Sequence, residues 1–305
     1  MPKYLDLFAG AGGLSEGFIR AGYEPIAHVE MDAAACYTLR TRTAYHWLKK
    51  GNNLAPYTKY LAGDITRKDF YALVPKEILD SVLNYEISEE SLPAIFKDID
   101  SLLSGEKLDL IVGGPPCQAY SIHGRATDKH SMNDDYRNYL FESFVKVVDY
   151  FKPRAFIFEN VTGMLSAKPG GTPVVQRIYK AFRDIGYNTL RPEEFKNAVF
   201  DAYDYDVPQH RERVILIGIR NGEDFTLEDF YKNMSLCAKE TKKTVRDAIG
   251  NMPPLYPLET VTKYKGRYIS HQCNGNDLHH LPRHCSARDL SLIHISEPTR
   301  RVVIS

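Results

Sequence analysis

The chain has 305 residues, and its 39 basic and 39 acidic side chains give a formal net charge of zero at pH 7. Its hydrophobic fraction of 43% is that of an ordinary globular protein, and its length suffices for one large domain or one and a half. No apolar run approaches the roughly 20 residues of a membrane span, and the N-terminus does not resemble a signal peptide. Five scattered cysteines argue against a disulfide framework and predict a reducing, cytoplasmic setting.

Short apolar runs alternate with helical patterns, an order typical of βαβ units and of a parallel, doubly wound α/β sheet. The predicted strands are Tyr4–Phe8, Pro25–Glu30, Leu108–Val112, Ala155–Glu159 and Val214–Ile219. The predicted helices are Leu14–Ala21, Ala33–Lys49, Tyr139–Phe151 and Val174–Ile185. The charged stretch Asp69–Leu103 is predicted to be a helical surface insertion. The periodic pattern loosens after Ile219, where Asn221-Gly222, Met252-Pro253-Pro254 and Tyr256-Pro257 interrupt it, and we expect a domain boundary near Gly250.

The first predicted strand runs into the glycine-rich turn Ala9-Gly10-Ala11-Gly12-Gly13. Glycine permits a tight turn and a close approach of the backbone to a ligand. Glu30 follows at the end of the second strand, where a carboxylate suits the hydroxyls of a cofactor ribose. The pattern predicts a nucleotide-type cofactor site at Gly10, Gly12, Gly13 and Glu30, with a purely structural turn as the alternative. A phosphate cradle is disfavoured because no Lys-Ser/Thr pair follows the glycines.

The third predicted strand ends in Gly113-Gly114-Pro115-Pro116-Cys117-Gln118. In a doubly wound sheet, ligands bind outside the carboxyl ends of the strands, which is where this loop falls. The two prolines restrict the backbone, so the Cys117 thiol is held by stiff covalent geometry. The pattern favours a nucleophilic thiolate over the commoner alternative, a cysteine that only fills apolar space.

Gly113–Ser121, together with Asp6–Gly13, resembles the nucleophile and cofactor motifs of the cytosine-5 DNA methyltransferases. Methyltransferases that act on exocyclic amines carry an aromatic residue after the proline pair, where this chain has Cys117. A ring carbon is a poor nucleophile, so the enzyme first adds a thiolate to carbon 6. The resemblance therefore implies transfer of a methyl group from S-adenosylmethionine to carbon 5 of a cytosine flipped out of duplex DNA. It also implies a Rossmann-like methyltransferase fold.

Two further motifs extend the resemblance. Glu159-Asn160-Val161 matches the family's acidic motif, in which a carboxyl kept protonated by a water-poor pocket serves the ring nitrogen N3. Gln209, Arg211 and Arg213 match a Gln-x-Arg-x-Arg motif, whose arginines suit phosphate and base oxygens. The alternatives are a helix-capping carboxylate and exposed, salt-bridging arginines. The resemblance implies catalytic roles for Cys117, Glu159, Arg211 and Arg213, and DNA contacts from Gln118, Ser121, Gln209, Arg211 and Arg213.

The remaining implied residues belong to the cofactor pocket. Phe8 is expected to stack near the adenine, with Met31 beside Glu30. Gly63-Asp64-Ile65 resembles the motif whose acid meets the adenine amine. The remaining pocket residues are Ile65, Pro116 and Leu140.

The resemblance is strong from Lys3 to Ile219, and residues 251–289 look like the beginning of a target-recognition domain, most of which is absent. The family's final Gly-Asn motif is also absent. Residues 290–300, LSLIHISEPTR, match the translation of a sequencing-library adapter, so residues 290–305 are expected not to be native. The spacing of the late histidines and cysteines fits no standard zinc pattern, and no metal is predicted.

The expected partner is double-stranded DNA, with a cognate restriction endonuclease as a further partner of a monomeric enzyme. The sequence does not distinguish a restriction-linked enzyme from a solitary one. Two alternatives stay open. One is a tRNA cytosine-5 methyltransferase, although its usual Cys-Phe-Thr signature is not found. The other is an inactive remnant that binds cofactor or DNA weakly.

Overall fold

The computed structural model describes residues 1–116, 140–168, 171–253, 255–264 and 267–273. Among these residues, no helix is both long enough and apolar enough to cross a membrane. Cys117, Gln118 and Ser121 lie outside the described residues, as does the segment 290–305 that is expected not to be native.

A mixed β-sheet forms the centre of the molecule, in the order β3-β2-β1-β4-β5-β8-β6, with β7 also paired to β8. The strands are β1 Lys3–Leu7, β2 Glu24–Glu30, β3 Val82–Asn84, β4 Leu110–Gly113, β5 Ala155–Asn160, β6 Tyr187–Asn188, β7 Val199–Asp201 and β8 Glu212–Arg220. Strands β1 to β5 are parallel, as predicted. The prediction was wrong for β8, which runs antiparallel to β5. A short apolar run carries no information on strand direction, so the sequence pattern could not show this.

The helices are α1 Gly13–Arg20, α2 Ala33–Lys50, α3 Ala55–Ala62, α4 Arg67–Tyr71, α5 Lys76–Asp80, α6 Leu92–Leu103, α7 Leu140–Phe151, α8 Val174–Asp184, α9 Leu227–Leu236 and α10 Val245–Ile249. The four predicted helices are present, and each end lies within one residue of its predicted position. Asp32 begins α2 by accepting a hydrogen bond from the Ala35 N–H at 2.7 Å. The insertion predicted to be helical also contains the edge strand β3, which the sequence analysis missed.

Both faces of the sheet are covered, which confirms the doubly wound architecture. Because side chains alternate along a strand, Leu5 and Leu7 face one layer and Tyr4 the other. The first layer contains Ile95, Phe144 and Phe182, which come from α6, α7 and α8. On the opposite face, Tyr4 is fully buried with residues of α1 and α9 packed against its cluster, among them Leu14, Phe18 and Phe230.

Beyond α10, two strands pair with each other as an antiparallel hairpin, β9 Leu255–Tyr264 and β10 Arg267–Cys273. This two-stranded sheet is separate from the central one. It falls in the stretch expected to begin a second domain.

A tight contact between β5 and β8 makes Gly218 a sensitive position. Phe156 lies opposite it, and a Cβ at Gly218 would come within 2.0 Å of the Phe156 ring. That ring is stacked on Phe182 with 3.9 Å between centroids, so it cannot easily move away. We expect Gly218→Ala to lower the free energy of unfolding by about 1–3 kcal/mol in urea denaturation, as overpacked cores do.

Gly17 of α1 provides the matched control, because a Cβ there would meet no described atom within 4 Å. Gly17→Ala should raise stability by about 0.5–1 kcal/mol, the helix penalty of glycine. Equal stability of the two variants would contradict the packing at Gly218.

Candidate active site

A cavity of about 290 Å³ opens at the carboxyl ends of β1, β2 and β4. It has the position at which doubly wound sheets bind their ligands. Several residues predicted to bind a cofactor line it together: Phe8, Glu30, Met31, Pro116 and Leu140. Val29 and Gly114 complete the wall on the sheet side.

The glycine turn fixes the carboxylate of Glu30 beside this cavity. Glu30 accepts hydrogen bonds at 2.8 Å from the Gly10 N–H through Oε2 and from the Asp32 N–H through Oε1. Gly10 has a φ of +55°, and a Cβ there would meet no described atom within 4 Å. The backbone at Gly10 is therefore open to a ligand. Gly12, Gly13 and Gly10 do not themselves line the cavity.

Gly12 is required for packing. Its φ is +80°, and a Cβ at this position would lie 2.9 Å from Leu39 Cδ2 of α2. The structural alternative considered for the turn therefore fits Gly12, whereas the open space beside Gly10 leaves room for a ligand. The pattern of glycines alone did not separate these two roles.

Three residues that the sequence analysis missed also line the cavity: Tyr85, Glu86 and Ile87, which directly follow β3. Asp64 and Ile65 do not line it. Ile65 packs instead against the side cluster that contains Leu48 and Phe70, and Asp64 is exposed just after α3. The sequence signal for this segment is the acid–isoleucine pair Glu86-Ile87, which stands two residues after the apolar run Val82-Leu83.

Below the glycine turn, two buried polar side chains lie side by side on neighbouring strands. Asp6 of β1 is in register with His28 of β2, and they are only 1% and 3% exposed. Burial raises the pKa of Asp6 to about 8, and the nearby Glu30 carboxylate acts in the same direction. Burial also lowers the pKa of His28 to about 4. His28 Nε2 hydrogen bonds to Ser15 at 2.8 Å, so a neutral polar layer supports the turn.

The second half of the site is an ion pair between β5 and β8. Arg213 Nε lies 2.8 Å from Glu159 Oε1, and both side chains are less than a third exposed. The backbone just before Cys117 touches the same carboxylate, since a Cβ at Gly114 would lie 2.6 Å from Glu159 Oε2. Buried Asn160 donates a hydrogen bond to the Pro115 carbonyl at 3.4 Å. The structure therefore brings Glu159, Arg213 and the start of the proline-cysteine segment together.

An open groove of about 520 Å³ adjoins Arg213. The predicted DNA residues Gln209 and Arg211 line it with Arg213, which the structure thus places on one surface. The other lining residues are Thr162, Asp201, His210 and Glu212.

The buried Asp6 gives a testable dependence of stability on pH. Its pKa rises from an ordinary 3.8 to about 8 in the folded protein, so between these values the folded state binds more protons and the free energy of unfolding falls as pH rises. His28 has the opposite effect, but only between about 4 and its ordinary 6.5. Urea unfolding should therefore show a decline from pH 6.5 to 8 that Asp6→Asn removes. Parallel profiles for wild type and variant would contradict the shifted pKa of Asp6.

The sequence profile of the C-5 cytosine-specific DNA methylases matches residues 2–62 and 84–284. The unmatched stretch 63–83 contains Asp64 and Ile65, and the match resumes directly before Tyr85-Glu86-Ile87.

Individual relatives are type II methyltransferases. M.Bpa9945I of Bacillus paralicheniformis is 37% identical, over 84% of this chain and 61% of that protein. M1.HphI of Haemophilus parahaemolyticus is 30% identical over 83% of this chain and 53% of that protein. M.AquIA of Picosynechococcus is 31% identical over 84% of this chain and 90% of that protein. The chain thus spans little more than half of the first two relatives and most of the third.

Among solved structures, a prophage-encoded protein of E. coli described as a DNA modification methyltransferase has the same fold. It aligns with a TM-score of 0.54 and 23% identity over 87% of this chain and 59% of that one. The family profile covers most of the chain and includes the glycine turn, the proline-cysteine segment and the paired Glu159 and Arg213. The protein belongs to the C-5 cytosine-specific DNA methylase family.

Proposed function

We propose that the protein is a DNA (cytosine-5-)-methyltransferase that methylates carbon 5 of a cytosine extruded from duplex DNA. The observation that carries this proposal is the 2.8 Å ion pair between Glu159 and Arg213, held against the backbone that leads into Cys117. A carboxyl and a guanidinium at this place can hold a pyrimidine ring by its polar edge. The type II methyltransferases among the relatives support the same activity.

The cavity beside the glycine turn suits S-adenosylmethionine. When bound, this cofactor supplies an electrophilic methyl group on a sulfonium. Glu30 accepts two backbone N–H bonds, and a carboxylate has further lone pairs for two ribose hydroxyls. Phe8 and Met31 offer apolar surface for the adenine, and Glu86 offers a carboxylate for its exocyclic amine. We assign Glu86 the role that the sequence resemblance had given to Asp64.

The reaction begins with addition of the Cys117 thiolate to carbon 6, which places electron density on carbon 5. Carbon 5 would then bond to the methyl group as the bond between that methyl and the cofactor sulfur breaks, which leaves a neutral thioether. A base removes the carbon-5 proton, and the carbon–sulfur bond breaks to restore the thiolate. The flipped base excludes water from the site, which strengthens the contacts made by Glu159 and Arg213.

Glu159 is held by an ion pair in a partly open part of the site. Its side chain is 29% exposed, and its Oε1 lies 2.8 Å from Arg213 Nε. Arg213 remains the group that holds the carboxyl in place.

The finer assignments follow from the same proposal. Residues 1–250 form the catalytic domain, and residues 251–289, with the β9–β10 hairpin, begin the target-recognition domain. The protein acts as a monomer on double-stranded DNA of the nucleoid, in the cytoplasm. Its type II relatives support a cognate restriction endonuclease as partner.

Replacing the nucleophile gives a direct test of the chemistry. In the full-length protein, Cys117→Ser should abolish transfer of a labelled methyl group to duplex DNA, because an alcohol at this position is not ionised near neutral pH. Cofactor affinity, measured by calorimetry, should stay within about twofold of wild type. The change in binding free energy is then well below the 1.4 kcal/mol that corresponds to a tenfold change in affinity. Retained turnover would contradict the covalent route.

The adenine contact can be tested with two isosteric substitutions. Glu86→Gln should weaken S-adenosylmethionine binding about tenfold in calorimetry, because hydrogen bonds to a charged acceptor contribute more than neutral ones. Asp64→Asn is the matched control and should bind as wild type does, since Asp64 does not line the cavity. The reverse order of effects would restore the role first predicted for Asp64.

A further inference from the structure

The turn between β7 and β8 carries Gln209 and Arg211, which line the open groove. One carboxylate holds the two ends of this turn together. Asp201, the last residue of β7, accepts hydrogen bonds through Oδ1 from the Arg211 N–H at 2.8 Å and the Tyr203 N–H at 3.1 Å. The Ala202 N–H also donates to the Arg211 carbonyl at 3.1 Å. Both ends of the turn are thus bound to Asp201 or to its neighbour.

A side-chain contact completes this arrangement. His210 Nδ1 lies 2.8 Å from Asp201 Oδ2, and the imidazole packs on the Tyr203 ring with 4.3 Å between centroids. The His210 side chain is 76% exposed, so this contact lies at the surface and is worth little by itself. The two hydrogen bonds from backbone N–H groups keep the turn in place, because they fix Arg211 and Tyr203 whichever residue occupies position 210.

The charge of Asp201 is stable over the working range of the protein. The hydrogen bonds from His210, Tyr203 and Arg211 lower the pKa of Asp201 to about 2. The carboxylate therefore stays a pure acceptor for both backbone donors at neutral pH. Its side chain also lines the groove together with Arg211 and Arg213.

We propose that Asp201 is a positioning residue for DNA binding, which fixes the turn 202–211 so that Arg211 faces the groove. The inference rests on the proposed function, since DNA is the ligand of that groove. Asp201 acts through the backbone amides of Arg211 and Tyr203, while His210 contributes little to fixing the turn. This residue formed no part of the family motifs quoted from the sequence.

Three substitutions separate these contributions in a fluorescence anisotropy titration with a short labelled duplex that contains cytosine. Asp201→Ala removes the acceptor and should weaken DNA binding about tenfold. Asp201→Asn keeps an acceptor oxygen for both amides and should restore affinity to within about threefold of wild type. His210→Ala leaves the backbone bonds in place and should change affinity by about twofold or less.

Binding of S-adenosylmethionine is the control for a general loss of structure, because its cavity lies at the other end of the site. Calorimetry should give the same cofactor affinity for all three variants and for wild type. The proposal is overturned if Asp201→Ala binds DNA like wild type, if it loses cofactor and DNA affinity together, or if Asp201→Asn fails to rescue.

A measurement without DNA keeps this inference distinct from the proposed function. Hydrogen exchange of peptides that span residues 202–211 should be faster in Asp201→Ala than in wild type, and unchanged in Asp201→Asn. Peptides from β5 should exchange equally in all forms. A wild-type chain that bound no duplex would refute the proposed function, whereas unchanged exchange in Asp201→Ala would refute the hold of Asp201 on the turn.

Discussion

The site depends on the ion pair between Glu159 and Arg213, and that pair depends on the direction of one strand. Glu159 lies near the carboxyl end of β5, whereas Arg213 is the second residue of β8. Because β8 runs antiparallel to β5, its beginning lies at the edge of the sheet where β5 ends. A parallel β8 would carry Arg213 to the opposite edge. The reversed strand is therefore what joins the arginine segment to the parallel strands that build the cofactor cavity.

The other residues of the site lie at the same edge of the sheet. Strands β1, β2 and β4 are parallel, so Phe8, Glu30 and Gly114 meet at their carboxyl ends. Gly114 touches both halves of the site, since it lines the cavity and approaches the Glu159 carboxylate. The short backbone segment before Cys117 thus lies between the place proposed for the cofactor and the place proposed for the base. This arrangement explains the glycine at position 114, because a side chain there would collide with Glu159.

Sequence reasoning predicted the strong periodic elements and the motifs that stand alone at strand ends. Glu30 and Pro116 line the cavity as expected, and Arg213 lies beside the predicted carboxylate. It failed where a signal was short or ambiguous. Three residues of β3 are too few to show a period, so the sequence analysis named Asp64, which does not line the cavity, and not Glu86, which does. Asp201 could not be found from sequence, because its partners are backbone amides up to ten residues away.

The central claim is that Cys117 and the Glu159–Arg213 pair act on one cytosine. Its most direct test is incubation of the full-length protein and S-adenosylmethionine with duplex DNA that carries 5-fluorocytosine at the target position, followed by mass spectrometry of the digested protein. The fluorine blocks loss of the group at carbon 5, so the account predicts a stable DNA adduct on the peptide that contains Cys117. Methylation of ordinary cytosine without any such adduct, or an adduct on another residue, would contradict it.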